Sequence, residues 1–307
     1  MKRKTEKALS GLIVATGISS VVSQLLILRE YLTQFQGNEY VIALIFFAWL
    51  LLGGGGSALA GVLIPEKVRP GIRNLAGLAL LAAVMPLATL TAIRLLRDMF
   101  FTHGASAGFY GTFGYIGLTL GPYGLLVGFL LPQSLAVLRM SQPEYPATRV
   151  YLFDNVGDCA GGALFAFVLV VLASPFQAVA IASGLLVLAA GNLLRIHGRL
   201  SFGVIAAIGT AGAILIAGIF WENSSLQPRQ GRLALYQESR YGRITVVQDQ
   251  GQATIFSDGI PLTSTLDLAA AEAAIHYPLV QVEQPGAVLL ISAGSGMLQE
   301  LEKYKPD

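Results

Sequence analysis

The chain has 307 residues, 54% hydrophobic and 12% charged, with a formal net charge of +2 and a mean hydropathy of +0.64. Soluble proteins carry roughly 25% charged residues, so this composition excludes a chain that is water-soluble throughout. Residues 8–221 hold 17 charged side chains and residues 222–307 hold 16, so an apolar membrane domain precedes a polar tail. The first 221 residues sum to +6 and the last 86 to −4. That positive excess falls in loops between apolar stretches, so it is a topology signal and excludes a nucleic-acid surface. The single cysteine, Cys159, excludes an internal disulfide.

The apolar run from Ala8 after MKRKTEK has no small-residue cleavage site behind it, and is read as a retained first transmembrane helix and not a signal peptide. Seven stretches approach the roughly 20 residues that cross a bilayer. They lie at 8–30, 39–64, 74–96, 116–138, 150–173, 176–196 and 201–221. Phe100–Gly121 mixes aromatics with glycines, so the start of the fourth span is open between helix, loop and re-entrant segment. Alternate loops counted from the N-terminus carry 11 lysines and arginines, and the others carry three: Arg29, Arg94 and Arg97. The bias puts the N-terminus in the cytoplasm and, with seven spans, the tail outside.

Asp154 and Asp158 stand four apart in VYLFDNVGDCAGG, on one helical face with Asn155 beside them. Two roles are open for them. Carboxylates in the first turns of a span are favoured by the helix dipole, and an intramembrane acid can bind a cation or a basic partner. Arg29 and Glu30 close the first span as a solvated anchor at the interface. The run Gly53–Gly56 has no Gly-Lys-Ser/Thr behind it and is read as a surface for close helix packing. His103, His197 and His276 are too scattered for a metal site.

From Arg232 the period changes to two. RLALYQES, RITVVQD and ATIFSDG read as strands, the last two forming a hairpin, before Pro261 breaks the pattern. Ser264 and Asp267 resemble a capping box opening the helix LDLAAAEAAIHY, which Pro278 ends. Ala287–Ser292 reads as a buried parallel strand, followed by the Gly294-Ser295-Gly296 loop and a short helix. The expected architecture is a polytopic α-helical membrane domain over 1–221, then a small α+β tail over 222–307. Within the tail, 232–262 forms a β-hairpin region and 263–307 the first βα unit of a Rossmann-like, methyltransferase-type fold.

These elements in this order resemble the spermidine and spermine synthases, the aminopropyltransferases. SSVVSQLLILREYLTQFQGNEYVIALIFFAWLLLGGGGSALAG and VYLFDNVGDCAGGALFAFVLVVLASPFQ are similar to the membrane part of that family's bacterial membrane-bound relatives, which carry a major-facilitator-like region. SRYGRITV, the SDG turn, EAAIHYPL and AVLLISAGSG follow the order of the synthase domain. The resemblance implies a bacterial inner membrane location. It implies substrate contacts at Tyr241, Asp267 and Glu272, and a decarboxylated S-adenosylmethionine site at Gly294, Ser295 and Gly296 if the fold is completed.

The departures bear on activity. Gly242 stands where the family has a substrate-contacting glutamine, and the acid of the family's cofactor loop is missing from Ser292–Gly296. The family's Tyr-His-Glu triplet keeps Glu272 alone, and its later strands, with the ribose-binding acid and the catalytic aspartate, are expected beyond Asp307. Aminopropyl transfer needs a carboxylate that orients the attacking amine and takes its proton. No catalytic residue is therefore assigned, and no cofactor is assigned with certainty. The expected partners are the lipid bilayer and another protein chain that completes the sheet, with no nucleic acid. The expected function is a non-catalytic, aminopropyltransferase-related membrane protein with a docking tail. The alternatives are an active membrane-bound aminopropyltransferase, or a transporter-like membrane domain that binds a small cationic or amino compound.

Overall fold

The structure, a computed structural model, describes residues 3–35, 39–66, 71–101, 108–198, 201–228, 231–239, 242–265, 267–283, 285–291, 293–294 and 296–306. Two compact units divide the chain, Met1–Ser225 and Leu226–Asp307. The first contains α1 (Arg3–Gln34), α2 (Glu39–Glu66), α3 (Ile72–Phe100), α4 (Phe109–Arg139) and α5 (Ala147–Leu164). A π-helical turn, Phe165–Leu169, carries α5 into a short α6 (Val170–Leu172), and α7 (Pro175–His197) and α8 (Phe202–Ser225) follow. Seven spans of 23 to 32 residues are long and apolar enough to cross a membrane. At 1.5 Å per residue, even the shortest exceeds the roughly 30 Å hydrocarbon layer. All seven expected spans are present. The fourth is helical from Phe109, and residues 102–107 of the doubtful stretch lie outside the described residues.

Helices α1, α3, α4 and α7 supply most of the core, with Tyr31, Tyr123, Phe176, Leu9 and Leu90 fully buried. Buried hydroxyls join them. Tyr31 Oη lies 2.5 Å from Thr119 Oγ1, Ser19 Oγ lies 3.1 Å from Ser183 Oγ, and Tyr115 Oη donates to Ile93 O at 2.5 Å. Apolar burial gives helices little reason to associate in lipid, so small residues and such polar contacts set the packing.

Two glycine interfaces show this directly. A Cβ on Gly128 would sit 2.1 Å from Gly53 O, and one on Gly56 would sit 2.2 Å from Leu125 O, so α2 and α4 meet backbone to backbone. Pro132 has no N–H to give the carbonyl of Gly128, four residues earlier. Ser57 Oγ supplies the missing donor from α2 at 2.9 Å. The glycine run is thus the packing surface expected of it, and it brings Ser57 within reach. The second interface joins α1 and α5, where a Cβ on Gly157 would lie 2.3 Å from Val14 O and one on Gly17 would lie 2.6 Å from Asp154 O.

The second unit opens with an antiparallel meander in the order β1-β2-β3-β4: Arg232–Glu238, Arg243–Asp249, Gln252–Ser257 and Ile260–Ser264. Gln250 and Gly251 (φ 46° and 86°) turn β2 into β3, and Asp258 and Gly259 (φ 48° and 78°) turn β3 into β4. Paired left-handed residues are the hairpin turn whose twist suits the flanking strands. The fourth strand corrects the expectation that Pro261 ends the sheet. Pro261 pairs with Phe256 beside a register shift on the edge strand, where a missing N–H costs no ladder bond.

Helix α9 (Leu268–Leu279) starts at Asp267, whose carboxylate accepts from Ala270 N at 3.2 Å. Asp267 is therefore the N-cap, and Ser264 belongs to β4. The short α10 (Met297–Glu302) packs on α9 through Ile275, Leu279 and Leu301. The segment expected to be a buried strand alternates as a strand should, with Val288 and Leu290 against this small core. It is neither laddered nor buried on its other side. Residues 285–291 pair with no described strand, and Leu289 and Ile291 are 85% and 81% exposed. The physical reason is that no described strand runs beside it to accept its backbone bonds.

Candidate functional site

In the tail, Gly294 and Gly296 occupy a loop held between β4 and α9. A Cβ on Gly294 would lie 2.9 Å from Thr263 Oγ1, and one on Gly296 would lie 3.4 Å from Ala271 Cβ. Gly296 N-caps α10 at φ +85°, a conformation that glycine adopts without strain. Gly294 N donates to Met297 Sδ at 3.2 Å, so this amide is engaged inside the loop. Ser295 and Tyr241 lie outside the described residues.

Several carboxylates of the tail are taken up by the fold itself. Asp267 is occupied as the α9 cap, and Glu272 is exposed one turn later on the same helix. Glu238 pairs with Arg243 at 2.6 Å and accepts from Tyr236 Oη at 2.6 Å, with the guanidinium 5.5 Å from the Tyr236 ring centroid. Asp258 accepts from Arg243 N at 2.8 Å. The glycine at 242, where the resembled family has glutamine, fits this arrangement. A Cβ there would come within 2.3 Å of Asp258 Oδ2, so a side chain would displace the turn carboxylate.

Glu300 ties α10 to α9. It accepts from Lys303 Nζ and meets His276 Nε2 at 2.9 Å, while His276 Nδ1 meets Tyr304 Oη at 2.7 Å. Lys303, followed by His276, holds the Glu300 carboxyl below the usual carboxylate range, and Glu300 holds Lys303 above the usual lysine range. A depressed acid contributes stability above its unfolded pKa and loses it as pH falls through the folded value, and the raised lysine loses its share as pH rises. The clamp should therefore be whole between the ordinary glutamate and lysine pKa values, 4.5 and 10.5. Amide protection of residues 297–302, measured against an unstructured peptide at the same pH, should fall below that window in the wild type, and Glu300→Gln should abolish the acid dependence.

In the membrane unit, Asp154 and Asp158 are half-buried, with Asn155 exposed beside them. They lie about two and three turns into α5, beyond the first turn where a helix dipole acts. Their backbones form the floor against which Gly17 packs. Neither carboxylate makes a hydrogen bond or ion pair among the described residues.

The Arg29–Glu30 pair is not the solvated anchor expected. Arg29 is half-buried and Glu30 is buried, and Glu30 Oε2 receives Arg94 Nη2 at 2.8 Å with both side chains at most 2% exposed. Arg94 is thus an interior residue of α3 and not a loop cation. It also donates to Ser225 Oγ at 2.8 Å and lies 4.7 Å from the Phe176 ring centroid. Glu222, likewise buried, accepts from Ser174 Oγ and from Phe176 N at 3.3 Å at the start of α7. Of this cluster the sequence marked Glu30 alone, although Ser174-Pro-Phe-Gln177 carries a readable capping-box signal.

Seven apolar spans, a four-stranded antiparallel sheet and short helices define a multi-pass membrane protein with a polar α+β tail. No protein-family model matches the chain, and no solved structure does. The chain is 30% identical over 201 residues to a polyamine aminopropyltransferase of Oceanobacillus iheyensis, a distant relationship that covers 59% of this chain. It spans 38% of the length of that relative.

Proposed function

We propose that this protein is an aminopropyltransferase-related membrane protein that does not carry out aminopropyl transfer alone. Its tail serves as the receiving half of an α/β sheet that further strands complete, from a partner chain or from more of this polypeptide. The observation that carries this reading is the segment 285–291, which alternates like a strand yet leaves Leu289 and Ile291 in water. An unpaired apolar strand edge is the substrate for strand addition. The engaged carboxylates support the same conclusion. Glu238, Asp258, Asp267 and Glu300 serve the fold, so none is available to orient an amine or take its proton. Gly294 and Gly296 would border an adenosyl group once strands are added, with Glu272 towards the amine. The tail lies outside the bacterial inner membrane, a reading supported by the odd number of spans and the cationic loops.

The test is turnover by the purified chain in detergent. With decarboxylated S-adenosylmethionine and putrescine, no methylthioadenosine above the protein-free blank is expected. Steady production would restore the reading of an active aminopropyltransferase.

A second reading is favoured by the two acids on α5 that make no ion pair among the described residues. In it, Asp154 and Asp158, with Asn155, bind a small cationic or amino compound within the bilayer. Proteoliposome uptake of labelled putrescine tests it. Equal flux in the wild type and in an Asp154→Ala/Asp158→Ala variant removes its basis.

A further inference from the structure

Helix α8 leads into the tail, and its seat on the bundle is narrow, with 11% of its span buried against 56% for α3. An apolar cleft of about 820 Å³ runs between α8 and α3, lined by Leu87, Thr91, Leu95, Ile214 and Trp221, with Phe176 in its wall. At its first turns α8 rests on α7, where Ile208 lies 3.4 Å from the Cβ position of Gly191. At its last turn it is held by polar contacts. Ser225 accepts from Arg94 Nη1 and donates to Glu222 O, and Glu222 binds Ser174 and Phe176 N. Behind Arg94 stands Glu30 of α1. Four helices therefore meet at one guanidinium, whose Nε has no partner among the described residues.

We propose that α8 is a latched helix. Its pivot is the Ile208–Gly191 seat, its latch is the Glu30–Arg94–Ser225 chain with Glu222 on Ser174, and the α3 cleft is the room into which it moves. Released, α8 shifts along α3 and carries Leu226, the first residue of the tail unit, with it. Interhelical shifts of this kind are discrete because packed faces re-engage one turn away. The unpaired Nε of Arg94 supplies a donor for the second arrangement. The latch thus links the membrane bundle to the point where the tail departs.

Paired nitroxides test this in the full chain, in a Cys159→Ser background, with labels at Leu81→Cys on α3 and Phe220→Cys on α8, both exposed positions. The parent should give one narrow distance. Arg94→Gln should add a second population displaced by about 5 Å, one helical turn. The reversed pair Glu30→Arg/Arg94→Glu should restore the single distance. Where Arg94→Gln does not yield folded protein, Glu222→Gln/Ser225→Ala releases the same latch from the α8 side and should give the same second population. An unchanged distribution in the released variant overturns the proposal. So does equal broadening between labels on α2 and α4, which would mean that the whole bundle had loosened.

Discussion

Replacing Glu30 by alanine should lower the unfolding free energy of the detergent-solubilised chain by about 3–5 kcal/mol, the cost of leaving a buried charge without its partner. Arg94 would keep Ser225 and the Phe176 ring but lose its carboxylate partner, in a place with almost no access to water. The paired change Glu30→Leu/Arg94→Met should be far milder, near neutral, because it removes both charges together. Thermal unfolding of the three proteins in one detergent separates the outcomes. If the single and double variants fall equally, the pair contributes as packing volume and not as charge.

Gly128→Leu should prevent the bundle from assembling. Its Cβ would fall 2.1 Å from a backbone oxygen of α2, an obstacle that no rotamer change removes. Overpacking ordinarily costs about 1–3 kcal/mol, and it costs more where main chain must move. Gly157→Leu should behave alike, since Val14 O stands 2.3 Å from its Cβ position. Gly184→Ala is the contrast: nothing lies within 4 Å, and an alanine in mid-helix gains up to about 1 kcal/mol over glycine. Size-exclusion profiles in detergent should show a folded peak for Gly184→Ala and aggregate for the other two.

These two results also mark what the sequence could and could not disclose. All seven spans were legible because twenty or so apolar residues in a row have few other uses, and the glycine run was legible because small side chains mean close approach in lipid. The Glu30–Arg94 pair was not legible: its members stand 64 residues apart, and each alone sits where a span end is expected. The β2–β3 hairpin and β1 followed from alternation, whereas β4 was hidden by Pro261, which only an edge position with a register shift tolerates. In the tail, the glycine loop was marked, and Asp267 was marked as part of a capping box but not as the cap itself. Capping by Asp267 and the Gly294 N–Met297 Sδ contact depend on local geometry that residue identity leaves open. The clamp of Glu300, His276 and Lys303 depends on how α10 folds back on α9, which the spacing of those residues does not reveal.

Amide exchange across residues 285–291 of the full chain tests the central claim most directly, because the proposed role rests on an open strand edge there. The expected result is exchange within a few fold of an unstructured peptide, beside slow exchange in β2 and β3, whose ladders are complete on both sides. Protection of 285–291 matching that of β2, in the protein without any partner, would contradict the account, since the edge would then already be paired.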